Sequence, residues 1–201
     1  MTKWRRPALG TNINIARDRS GTAAIEFALV LPGLLTLAIG CYEAANLILA
    51  NLKLEAAAET AADLVAQTRV STVLQATDFT NFTNAVKQVM TPYPTTGSVL
   101  KIAYAQVTYS TGSPVINWHV EVNSATPINA TSLPNSAVAA NLGDQTAGYT
   151  DSLIVAQLTY AYTSPISYVL NSSYSISEAA LNRPRYMGCV PTYLNTGSQC
   201  P

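Results

Sequence analysis

One apolar run constrains this chain more than any other feature. From Thr22 to Cys41 the sequence is apolar apart from Glu26 and two threonines. At about 1.5 Å per residue, some twenty helical residues cross a hydrocarbon core of roughly 30 Å. A cleaved secretory signal is the main competitor, but its apolar core runs only about 7–15 residues before a small-residue cleavage site. Here the apolar character continues through Leu47, Ile48, Leu49 and Leu52. The run therefore predicts a membrane anchor, residues 22–41.

The charges around the run give its orientation. Lys3, Arg5, Arg6, Arg17 and Arg19 are five of the eleven basic residues and all precede Gly21. From Thr22 onward six basic residues face ten acidic ones, net −4. Basic residues beside a membrane segment stay on the cytoplasmic side. The N-terminus is thus expected in the cytoplasm and the body outside it, periplasmic or extracellular. An acidic body gives no sign of nucleic-acid binding. Only 11% of residues are charged, against roughly 25% in ordinary soluble domains. A chain of 201 residues has room for an anchor and one small domain.

Pro32 lies inside the run, removes one helical hydrogen bond and clashes with the carbonyl of Ala28, so a kink is expected there. Gly33 and Gly40 leave flat spots for a neighbouring helix. Glu26 is the odd residue. A carboxylate at mid-bilayer costs on the order of 2.5–3.5 kcal/mol, and less near the edge. An arbitrary glutamate at this depth would simply reach for the headgroups.

The letters around Glu26 carry a second reading. Arg19, Gly21, Thr22, Ala23, Ala24, Ile25, Glu26 and Phe27, followed by Ala28-Leu29-Val30-Leu31-Pro32, join a basic leader to a long apolar helix through Gly-x4-Glu-aromatic. This resembles the cleavage site of type IV prepilins, and within that superfamily the TadE-like minor pseudopilins of the tight-adherence (Flp) pilus system. Glu43 matches a recurrent acid of that family. The resemblance implies that a prepilin peptidase removes residues 1–21, cutting after Gly21, with Thr22, Glu26 and Phe27 completing the processing site. It also implies that Glu26 pairs with the N-terminal amine of a neighbouring subunit, with Glu43 a further subunit-pairing candidate. Two charges buried together are tolerable in lipid where either alone is costly. Thr22 departs from the phenylalanine that opens major type IV pilins, which counts against a major pilin.

Past the anchor, Leu47, Ala50, Leu54, Ala57, Ala58, Ala61, Leu64 and Val65 recur at helical spacing. The helix is expected to run to about Gln67, within a segment 42–76, and to lay this stripe on the protein's own sheet. Glu55, Glu59 and Asp63 fall opposite, as a solvated face. Residues 77–201 read as an α+β head. Asp78 to Val89 reads as a short helix capped by Asp78, with Phe79, Phe82, Val86 and Val89 apolar, and ended by Pro92 and Pro94. Four strands follow by period-two patterning. They run from Ser98 to Thr111, Val115 to Asn123, Asp151 to Thr163, and Ser175 to Met187. The second strand sets Ile116, Trp118, Val120 and Val122 against Asn117, His119 and Glu121, and pairs with the first through Thr111–Pro114. The third places Ile154, Leu158, Tyr160 and Tyr162 on one side. A polar connection from Ser124 to Tyr149 is long enough to hold a helical turn at Ser136–Leu142. The fold class is α+β, pilin-like: one long helix and an antiparallel sheet of three or four strands.

Little in the sequence argues for catalysis. It contains no G-x-S-x-G elbow, Walker loop, dinucleotide fingerprint or H-E-x-x-H. The only histidine, His119, sits on the polar side of its strand, and a solvated residue is the simpler reading. No metal and no cofactor is expected. Cys189 and Cys200 are close in an extracytoplasmic tail and predict a disulfide that would stabilise by roughly 2–4 kcal/mol. Cys41 is expected as a small apolar residue buried in the membrane helix. Matches to the glycosylation sequon at Asn81, Asn129 and Asn171 arise readily in so Asn/Ser/Thr-rich a chain. Arg183-Pro184-Arg185 is the only basic cluster of the body, a contact patch or solvated arginines.

The expected function is non-enzymatic: a bacterial inner-membrane pseudopilin that primes or regulates pilus assembly. Its implied partners are the prepilin peptidase, other minor pseudopilins, the major Flp pilin and the assembly platform. The alternative is a bitopic surface protein whose outer domain binds glycans or another partner.

Overall fold

The structure is a computed structural model, described over residues 21–69, 73–110, 113–133 and 152–194. Helix α1 spans Thr22–Ala66 without interruption through Pro32. Thr36 Oγ1 donates to the Pro32 carbonyl at 2.9 Å. Its 45 residues make a rod of about 68 Å at 1.5 Å per residue. The helix ends at Ala66, short of residue 76. Beyond it the backbone turns, and the head supplies partners for the last carbonyls, which have none within a helix. Arg185 N donates to the Ala66 carbonyl at 2.9 Å, and Thr68 Oγ1 donates to the Val65 carbonyl at 2.7 Å. The Arg185 guanidinium also pairs with Asp63. Arg185 is thus a clasp between the helix end and the head, and not merely solvated.

The second helix, α2, spans Ala76–Met90. Asp78 does not cap it in the expected way. Gln75 is the N-cap residue, and the Asp78 carboxylate reaches back from the third helical position to accept the Gln75 N–H at 2.8 Å. With the Gln75 side chain accepting in turn from the Asp78 N–H, the two residues form a capping box that satisfies donors the helix cannot.

Strands β1 (Leu100–Ser110), β2 (Ser113–Val122), β3 (Ser152–Tyr162) and β4 (Tyr174–Asn182) form one antiparallel sheet in the order β2-β1-β3-β4. Helix α1 packs on β3, β4 and α2. The Leu/Ala stripe lies in the core as expected, with Ala50, Leu54, Ala57, Ala58, Ala61 and Val65 buried against Ile102, Tyr104, Leu158 and Tyr160. Small side chains there let the helix lie close to the sheet. Phe79 of α2 closes the core, its ring 5.3 Å from Tyr104 and 5.8 Å from Trp118.

The other face of the sheet is also covered at one end. Ile128 and Leu133, in the connection after β2, pack on Ala103, Ala105, Val107, Leu153 and Val155. The early part of β3 is therefore buried on both faces. The helical turn expected at Ser136–Leu142 lies outside the described residues.

One residue departs from the period-two reading of β2. Gln106 pairs with Trp118, but the next residue, Val107, pairs with Ile116. Asn117 is the extra residue of a β-bulge, and a one-residue slip moves a side chain to the opposite face. Ile116 accordingly packs with the outer cluster, while Trp118 and Val120 stay in the main core.

The C-terminal segment is tied to the sheet through Gln106, which is fully buried. Its Oε1 accepts from Trp118 Nε1 and from Val190 N, both at 2.9 Å. Its Nε2 donates to Cys189 Sγ at 2.8 Å. Gln106→Leu keeps the volume but strands the Val190 N–H, and an unpaired buried donor costs about 1–3 kcal/mol. Equilibrium denaturation of the head, followed by Trp118 fluorescence, is expected to show a loss of that size. A variant as stable as the parent would mean that the network contributes nothing net.

Candidate functional site

The first half of α1 stands clear of the head. Ile25, Phe27, Leu29, Val30, Leu34, Leu35 and Leu37 are each more than half exposed. So bare an apolar surface is not stable in water and marks an interaction face. Among the described residues α1 is the one helix long and apolar enough to cross a membrane, and its most apolar window is wholly unburied. A helix buried in its own protein would pass the same length test but not this one. A long apolar N-terminal helix with a folded head after it suggests membrane anchoring.

At its start, Gly21 holds the N-cap position with φ −94°. A Cβ built there meets nothing within 4 Å. Neither backbone strain nor crowding asks for glycine at this point. Glu26 lies one turn into the helix, exposed, on the same face as Thr22 four residues earlier. Among the described residues no hydrogen bond or ion pair holds its carboxylate. Phe27, the next residue, is 59% exposed. The structure thus presents Gly21, Thr22, Glu26 and Phe27 together at one exposed helix terminus.

Glu43 has the opposite environment. Its side chain is fully buried, although it lies only two residues past the expected span. The loop between β3 and β4 wraps over it. Tyr168 N donates to Oε1 at 2.7 Å, and Val169 N and Leu170 N donate to Oε2 at 2.9 and 2.6 Å. Ser167 makes this possible by adopting a left-handed conformation, φ 54°, which turns successive amides inward as an anion-binding nest. The Ser167 hydroxyl braces the turn on the Ser164 carbonyl at 2.6 Å. Desolvation pushes the Glu43 pKa up, but the three amides and the Ser164 hydroxyl outweigh it. The carboxyl is held below its ordinary 4.5. Val169 also approaches Gly40, where a Cβ would lie 3.6 Å from its methyl carbon. The flat spot at Gly40 is thus used by the protein's own loop, while that at Gly33 stays open.

The structure therefore does not bring the two acids together. Glu26 is bare, whereas Glu43, expected at a subunit boundary, is engaged by its own chain. Nothing in the sequence marked the Tyr168–Leu170 amides, because backbone donors leave no letter of their own.

The remaining candidates lie apart from the helix terminus. Cys189 is disulfide-bonded, and its expected partner Cys200 lies outside the described residues. Cys41 is a free thiol exposed on the helix surface, so no protein atoms bury it as expected. His119 Nδ1 lies 2.5 Å from Glu121 Oε1 on the exposed face of β2. Among the described residues no cluster of three or more His, Cys, Asp and Glu side chains is arranged to hold a metal.

Neither the curated proteins nor the solved structures compared with this chain yield a match. A family model does match, and it covers residues 21–63. The matched stretch opens on Gly21, contains Glu26 and Glu43, and stops three residues before α1 ends. The model is that of the TadE-like proteins, so this chain carries a TadE-like N-terminal helix, consistent with a TadE-like protein of the tight-adherence pilus system.

Proposed function

We propose that the protein is a minor pseudopilin that primes or regulates assembly of a tight-adherence pilus in the bacterial inner membrane. Its N-terminus starts in the cytoplasm and its head lies outside. A prepilin peptidase removes residues 1–21, and Glu26 then neutralises the Thr22 amine of a neighbouring subunit. The observation that carries this reading is the Glu26 carboxylate, exposed and without a partner among the described residues, in the apolar first half of α1. A charge left alone in lipid is unfavourable, and a freshly made amine at the same depth on another chain is the counter-ion this system generates. The partners are those that the resemblance to TadE-like proteins implies: the peptidase, other minor pseudopilins, the major Flp pilin and the assembly platform.

The test is Glu26→Gln in cells carrying the pilus machinery. Cross-linking between N-terminal helices and surface piliation are expected to drop at least tenfold, while removal of residues 1–21 continues. Normal piliation and normal cross-linking in the variant would refute the pairing.

A further inference from the structure

The loop between β3 and β4, residues 163–173, contains no charged side chain. Ile166, Tyr168 and Val169 in it are 50%, 62% and 47% exposed. Loops of soluble heads rarely leave three adjacent large apolar groups in water. This loop is also not free to drift. Glu43 grips it through three amides, and Val169 touches the helix at Gly40.

The grip fixes its level along α1. Exposed apolar side chains of α1 run up to that level, with Leu34, Leu35 and Leu37 just before it. A hydrocarbon core of roughly 30 Å, counted from Thr22, ends near Cys41, and the headgroup zone adds about 5–7 Å more. Residues 40–43 therefore lie where hydrocarbon meets headgroups. Tyr42 on the helix and Tyr168 on the loop share this level, each more than half exposed. Tyrosine is enriched at that boundary, because its ring is apolar and its hydroxyl wet.

We infer that the 163–173 loop is a second membrane contact, with Ile166, Tyr168 and Val169 dipping into the outer headgroup–acyl boundary of the bilayer that α1 spans. The occupant is lipid, since the patch is continuous with the helix surface that faces lipid. Glu43, just past the span, is then the group that holds the loop against the helix at the level of the outer headgroups. The head would sit on the bilayer in one orientation instead of swinging on its stalk.

The inference rests on α1 being a membrane span, and the experiment separates the two. The full chain, carrying Cys41→Ala, is reconstituted in phosphatidylethanolamine–phosphatidylglycerol vesicles without reductant. Spin labels are placed singly through Ile166→Cys, Tyr168→Cys, Leu34→Cys and Asn84→Cys, and collision with oxygen and with an aqueous nickel chelate is measured. Leu34 reports the span, and Asn84, exposed on α2, reports water. Labels at 166 and 168 are expected to favour oxygen over nickel several-fold more than the label at 84. Values equal to those at 84, with Leu34 in lipid, would place the loop in water and overturn the inference alone. Shielding of 166 and 168 from both reagents would mean that protein covers them, and would overturn it too. Leu34 in water would overturn the span and the inference together.

Discussion

With Gly21→Leu, the protein recovered from cells is expected to keep residues 1–21, whereas the parent loses them. Intact mass spectrometry reads the difference directly. Among the described residues, glycine at this position answers to no demand of the fold. Its φ of −94° is ordinary for any residue, and a side chain there points into open space. Leucine at residue 21 should therefore leave helix α1, the head and its thermal unfolding as they were. If maturation nonetheless stops, the demand for glycine is external, set by a peptidase pocket that reads the junction of the basic leader and the apolar helix. The size of the effect should be close to all-or-none, because cleavage requires the scissile bond to enter that pocket. A parent protein already at full length would remove the processing reading, and with it the amine that Glu26 is proposed to meet. The chain would then stand as a plain bitopic protein.

The long helix was legible because its signal is cumulative. Twenty apolar letters, then a Leu/Ala stripe at helical spacing, outweigh the one dissenting residue, Pro32. The first three strands were legible to within two residues for the same reason, since Trp118, Val120, Leu158 and Tyr160 alternate with polar neighbours along runs bounded by Gly, Pro and Ser. By contrast, β4 stops at Asn182, five residues before the expected Met187, where Pro184 cannot extend the ladder. What escaped is whatever depends on geometry that no single letter announces. The bulge at Asn117 turned Ile116 to the outer face, and a two-residue period has no means of registering one extra residue. Gln106 was one more polar residue in a strand until Trp118, Val190 and Cys189 converged on it from distant segments. In sequence Glu43 stands out only as an acid after an apolar run, but its partners are backbone amides more than a hundred residues away. Of the helix terminus, the residues were legible and their chemistry only partly so. Gly21 and Glu26 are recognisable as a spacing, but that Gly21 has no steric duty and Glu26 no partner among the described residues needed coordinates.

Glu43 offers the sharpest contrast with Glu26, and Glu43→Gln is expected to release the β3–β4 loop while leaving the N-terminal junction untouched. Glutamine has one acceptor oxygen where the carboxylate has two. Even with its oxygen turned to Val169 and Leu170, its amide nitrogen would point a donor at the Tyr168 N–H and leave that group unpaired. Amide exchange at Tyr168, Val169 and Leu170 should quicken on the order of tenfold or more, as hydrogen bonds to a charged acceptor are lost. Acid should do the same to the parent protein. The folded-state pKa of Glu43 lies below its ordinary 4.5, so the attachment is fully present above that value. It fades only as pH falls through the depressed one. Amide chemical shifts of the three loop residues, followed from pH 6 downward, are expected to stay constant to about 4.5 and move together below it. If they were instead to move near neutral pH, the carboxylate would not be the group that holds them. Were Glu43→Gln to abolish helix cross-linking between subunits with the loop amides unchanged, Glu43 would belong to a subunit boundary after all. The physical reason for expecting the first outcome is that a carboxylate filled by three amides of its own chain has little capacity left for a neighbour.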